Sequence, residues 1–104
     1  MLSIKKPMNL EHIFDNLNQL PETICIFARK PWQPSSEAAA APLGQNFEVP
    51  ADLLSLGFEY FLEVRVAREV LEVFSNKPST KENKLRLLIF YAENDAYPDW
   101  VYKT

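Results

Sequence analysis

Leu10, Ile13, Phe14, Leu17 and Leu20 recur at steps of three and four residues. That spacing lines one face of an α-helix. Asn9, just ahead of the run, offers a side-chain oxygen to the free N–H groups of a first turn, and Glu11 suits the positive helix end. The pattern predicts a helix over residues 10–20, stopped by Pro21. Residues 23–29 are short and β-branched and lie between Pro21 and Pro31, which predicts a strand. Both faces of that strand are apolar, so it should be central and covered on both sides.

Residues 30–50 carry Pro31, Pro34, Pro42 and Pro50. Proline removes a backbone donor and biases its predecessor towards extended forms. Within this stretch, residues 37–41 read as helix by alanine propensity or as a short strand, and local pattern leaves both open. A short helix is expected over 50–56, with Asp52 in its first turn and Gly57 beyond its end. Residues 58–64 alternate. Phe58, Tyr60, Leu62 and Val64 fall on one face of the predicted strand, and Glu59, Phe61 and Glu63 on the other.

A helix is predicted over 66–76, with Val66, Val70, Val73, Phe74 and Lys77 marking its inner side. Arg65/Glu69 and Arg68/Glu72 stand four apart as outer pairs. Pro78 breaks it, and Ser79-Thr80-Lys81-Glu82 reads as a capping box opening a last helix to about residue 93. That helix is apolar at seven of the eight positions 85–92, interrupted by Arg86, a density that implies burial on several sides. A second copy of the chain is one way to provide it. Leu87, Phe90 and Tyr91 are therefore the candidate dimer face.

The whole reads as one α+β domain over 1–104: a small, mainly antiparallel sheet of about three strands packed with three main helices. Hydrophobic residues make up 47% of the 104 and charged residues 24%, enough for one core without disulfide or metal staples. The single cysteine, Cys25, allows no intrachain disulfide and fits a reducing compartment. Lys5, Lys6 and Pro7 interrupt the N-terminus where a signal peptide would be apolar, so a cytoplasmic location is expected. No apolar run approaches the ~20 residues that span a bilayer, and no membrane association is expected. Net charge is −3 and the basic residues are scattered, which argues against a nucleic-acid partner.

Catalytic chemistry is hard to assemble from this inventory. One histidine, His12, and one cysteine are too few for a metal site, and no cofactor is expected. Gly44 and Gly57 are the only glycines, far apart and without a phosphate-loop pattern. Cys25 sits mid-strand, where a buried cysteine behaves as a small hydrophobe. Glu93, Asp95 and Asp99 form the one local acidic cluster, beside an expected Asx turn at Asn94-Asp95.

Surface recognition is better provided for. Trp32, between Pro31 and Pro34, is either an exposed recognition residue or a lid over the core. Tyr97, Trp100 and Tyr102 give the tail the same two readings. Glu59, Phe61 and Glu63 would form an acidic-aromatic strand face. The candidate binding surface is thus Trp32, Glu59, Phe61, Glu63, Asp95, Tyr97, Asp99 and Trp100.

The chain resembles an uncharacterised family of small bacterial domains of unknown function. The resemblance is carried by the opening helix ending Leu20-Pro21, the strand over 23–29, the Trp32 loop, the segment 57–64, Val70-Leu71 and Asn76, and the close over 90–97. It implies a strand after the tryptophan loop, which favours strand for residues 37–41. It also implies an accessory protein of the kind carried on mobile elements such as integron gene cassettes, or immunity-like proteins beside toxin systems. The expectation is a non-catalytic protein that binds another protein, with homodimerisation through the last helix or a sheet edge. The alternative is a small-ligand binder with a cleft lined by Trp32, Tyr60 or Trp100. An enzyme built on scattered carboxylates comes third.

Overall fold

The computed structural model describes residues 8–43, 48–74 and 79–102. Four antiparallel strands form one sheet in the order β1-β3-β2-β4: β1 (Met8–Asn9), β2 (Ile24–Ala28), β3 (Glu37–Pro42) and β4 (Glu59–Glu63). Four α-helices accompany it: α1 (Leu10–Asp15), α2 (Ala51–Ser55), α3 (Val64–Leu71) and α4 (Lys81–Asn94). The class is α+β, with four strands rather than about three. The extra strand is the two-residue β1, too short to leave a period in the sequence. Residues 37–42 are strand: β3 pairs along its length with β2, from Ile24 opposite Pro42 to Ala28 opposite Ala38.

Every residue of β2 is buried. Ile24, Ile26 and Ala28 face the main core with Ala38 and Ala40 of β3. Cys25 and Phe27 face the other way, against Ala39 and Phe58. The alanines of β3 keep the sheet surface low where α1 packs on it, so Leu10 and Ile13 reach the core. On the second face, Leu43, Val49 and Leu53 complete a smaller cluster. The chain through α2 thus covers that side.

Asn9 caps α1, its Oδ1 accepting the His12 backbone N–H at 2.7 Å. The helix is shorter than the apolar spacing predicts. The Asn16 side chain donates to the His12 carbonyl at 2.9 Å, and a 3-10 turn over Leu17–Gln19 carries Leu17 inward. Such side-chain bonding to the turn behind competes with helix continuation.

Two features of β4 and α3 correct the sequence reading. Ile26 pairs with Leu62 while Phe27 pairs with Tyr60, so Phe61 is an extra residue, a β-bulge. The bulge shifts the alternation by one. Phe61 and Leu62 both enter the main core, at 2% and 4% exposure, and Tyr60 is 41% exposed. Phe61 is therefore a core residue and not part of a binding surface. In α3, which starts at Val64 directly after the strand, the buried residues are Val64, Ala67 and Val70. Val66, Val73 and Phe74 are half-buried, and Lys77 lies outside the described residues. Arg65 pairs with Glu69 at 3.3 Å as expected. Arg68 does not pair with Glu72. It donates to the carbonyls of Leu17 and Leu20 and lies 3.6 Å from Glu22, tying α3 to the turn after α1.

The cap of α4 is Thr80, whose Oγ1 accepts the Asn83 N–H at 3.0 Å, one residue later than the Ser79-to-Glu82 spacing predicts. Asp95 closes the helix in the left-handed region, φ 53°, with its N–H on the Tyr91 carbonyl at 2.7 Å. Leu85, Leu87 and Leu88 are buried within the chain itself, together with Val101 of the closing 3-10 turn. Leu87 has no exposed surface and cannot form a dimer face, while Phe90 and Tyr91 are half-buried.

The bulge makes a direct prediction. Phe61→Ala should lower the unfolding free energy by about 3–5 kcal/mol, the usual cost of emptying an aromatic site in a core. Tyr60→Ala should stay within about 1 kcal/mol, as partly exposed positions do. Urea titration of both variants reads the difference, and equal losses would contradict the register.

Candidate functional site

The loop after β2 is fixed by its own polar groups. Ser36 is the one buried polar residue among the described residues. Its hydroxyl accepts the Gln33 N–H at 2.8 Å and donates to the Pro31 carbonyl at 2.7 Å. Trp32 is half-buried; its indole N–H donates to the Ala28 carbonyl at 3.2 Å. Its ring meets Phe61 in a T-shaped contact, centroids 5.1 Å apart at 82°. The tryptophan is thus both a partial lid over the core and a wall of a surface groove of about 550 Å³. Lys30, Pro31, Ala92 and Glu93 line the rest of that groove. The Lys30 ammonium stands 4.9 Å from the Trp32 ring centroid and 3.7 Å from the Glu59 carboxylate.

The structure does not gather the other predicted residues into this place. Glu63 lies 4.0 Å from the Arg65 guanidinium and accepts the Tyr60 hydroxyl at 3.5 Å. Tyr97 packs on Tyr91, ring centroids 5.4 Å apart. Trp100 stacks on Phe74 at 6.4 Å, with the Arg86 guanidinium 4.8 Å from its ring. Asp95 and Asp99 are exposed. The acidic-aromatic tail is accordingly two separate packing contacts with exposed acids between them.

Two features escape a reading of the sequence. The first is a groove of about 580 Å³ between α1, α3 and α4, with Phe14, Leu17, Leu71 and Phe74 as apolar walls and Lys81 and Lys84 at its rim. Lys81 joins α4 to α1, its ammonium 3.0 Å from Glu11 and 2.8 Å from Asp15. Hydrogen bonds to Asp15 and then Glu11 hold its pKa above the ordinary lysine value. The pairing of Glu11 and Asp15 four apart on α1 was the only local hint. The second is the projection of Leu54 and Leu56, 60% and 56% exposed, from the segment that covers the second sheet face. Gly57 turns that segment back towards β4 with φ 88°, a region costly for any residue with a Cβ. A Cβ there would also come 3.3 Å from the Arg29 guanidinium, which lies over the Phe58 ring and pairs with Glu37 at 2.7 Å.

Among the described residues, no three His, Cys, Asp or Glu side chains converge as a metal site would require. Among the described residues, no helix is long and apolar enough to cross a membrane. Comparison with protein-family models, curated proteins and solved structures finds no match. Function has to be read from the side chains themselves.

Cys25 is closed to chemistry in the folded state. It has no exposed surface, and its thiol lies 3.6 Å from the Ile26 carbonyl and 3.7 Å from that of Leu62. Burial first, and the Glu63 charge second, push its pKa from 9.0 up to about 12. A thiol-alkylating reagent at neutral pH should therefore leave the native protein unmodified and label it fully in urea. The raised value also has a sign in stability. The unfolded chain loses the thiol proton near 9.0 and the folded chain near 12, so the contribution is fully present below the lower value. It is lost as pH rises from one to the other, and Cys25→Ala should remove one proton's share of that decline.

Proposed function

We propose that this is a non-catalytic accessory protein that acts by binding another protein, and that the segment around Leu54, Leu56 and Tyr60 is its contact face. One observation carries the reading. Of the four large apolar side chains exposed among the described residues, three lie between positions 54 and 60. Exposed apolar groups close together along the chain, with exposed charges on the neighbouring elements, are the composition of a recognition surface. Here the charges are Asp52, Arg29, Glu37 and Glu63, all at least partly exposed. The segment is also held in place. Leu53 packs on the second core cluster, and the Phe58 N–H donates to the Leu53 carbonyl at 3.1 Å, so little order has to be gained on binding.

The absence of an accessible nucleophile at Cys25 supports a binding role over a thiol-based enzyme. So does the pairing of Glu59, Glu63, Glu11 and Asp15 with Lys30, Arg65 and Lys81, which leaves these four acids occupied by cations.

The test is a double variant, Leu54→Glu with Leu56→Glu. Both side chains are more than half exposed, so the unfolding midpoint should stay close to that of the parent, within about 0.5 kcal/mol of stability. The parent chain should retain one stoichiometric protein from host lysate through moderate salt, and the variant should lose it. A variant that retains the same protein in the same amount rules this face out.

A further inference from the structure

A different part of the molecule carries a separate inference. We infer that the groove between Trp32 and the C-terminal end of α4 is a binding site for an organic cation, a guanidinium or an ammonium group. Four observations meet there. The indole ring of Trp32 is the strongest of the aromatic partners for a cation, and its two contacts, to Ala28 and Phe61, hold it in one orientation. Glu93 lines the same groove and is exposed, with no ion-pair partner among the described residues. Ala92 and Glu93 belong to the last turn of a 14-residue helix that carries no basic residue of its own in that turn, so the negative end of its dipole adds to the attraction for a positive charge.

The fourth observation is that the chain places a cation of its own in this groove. The Lys30 ammonium sits 4.9 Å from the Trp32 ring centroid, and its contact with Glu59, at 3.7 Å between exposed side chains, is a loose one. Lys30 thus shows the chemistry that the groove accepts and is weakly enough held to be displaced. An anion would meet Glu93, Glu59 and the carbonyl end of α4. A purely apolar ligand would leave the charges of Lys30 and Glu93 unserved. The volume, about 550 Å³, exceeds what a single guanidinium or trimethylammonium head needs, so the rest of a ligand fits beside it. The source is an arginine side chain of a peptide or a small quaternary amine. Both share the flat or rounded, weakly hydrated positive charge that an indole face favours.

Trp100→Phe leaves Trp32 as the only tryptophan of the two in the chain and gives a direct optical probe. In that background, N-acetyl-arginine amide and tetramethylammonium are titrated separately while Trp32 fluorescence is read, with N-acetyl-citrulline amide as the neutral isostere and sodium chloride as the ionic control. Saturable change with at least one cation and none with citrulline is the expected result, and the tighter of the two cations identifies the source. Glu93→Gln should weaken binding about 5–10-fold, the worth of one charge-assisted contact. Lys30→Gln should strengthen it by about 5-fold by removing the resident ammonium. Both positions are exposed, and a thermal melt confirms that each variant folds. A response to both cations that is linear and equal to that of sodium chloride overturns the proposal. So does an affinity that neither Glu93→Gln nor Lys30→Gln changes.

Discussion

A strand with no polar side chain on either face must be covered twice, and that requirement at β2 organises the rest of the molecule. Ile24, Ile26 and Ala28 need one apolar layer; Cys25 and Phe27 need another. The helices α1, α3 and α4 form the first layer. On the second face the cover is thin: a five-residue helix and a few well-placed side chains, Leu43, Val49, Leu53 and Phe58. A cover so thin leaves apolar groups at its outer side. The exposure of Leu54 and Leu56 is thus a consequence of how thinly the second face is closed.

The parts of this arrangement that were legible in the sequence are those that local physics decides alone. The helix cap at Asn9, the central position of residues 24–28 and the Arg65/Glu69 pair all follow from spacing and residue type. The parts that were not legible depend on partners distant in the chain. Whether an alanine run is helix or strand is decided by what it pairs with, and here β2 offers a full edge that five alanine-rich residues cannot match by helix formation alone. Arg68 leaves its expected partner because two carbonyls at the end of the turn after α1 lie within reach. The bulge at Phe61 reverses the faces of β4 through one inserted residue, and alternation has no way to register it. The adjacent apolar pair Phe61-Leu62 was the one trace it left.

The predicted site fared in the same way. For Trp32 the sequence left open a recognition residue or a lid; the folded chain shows a half-buried ring held on Phe61 and Ala28 that covers part of the core. The companion residues were assigned by charge and aromaticity without knowledge of their neighbours. Once folded, Tyr97 and Trp100 are occupied by Tyr91, Phe74 and Arg86, and Glu93, which the sequence placed only in a generic acidic cluster, is the acid that faces the tryptophan groove.

The bulge has a further effect, on what β4 does at the margin of the sheet. β4 is an outermost strand, and an open strand margin is a template on which other chains can polymerise. An irregular residue in the middle of such a strand twists it and spoils the even ladder that a stacking copy would need. Were two copies to meet antiparallel about Phe61, Glu59 of one would face Glu63 of the other at both ends, and the like charges would repel. The same inserted phenylalanine that anchors the strand in the core thereby makes β4 a poorer template for a stacking copy than a regular edge strand would be.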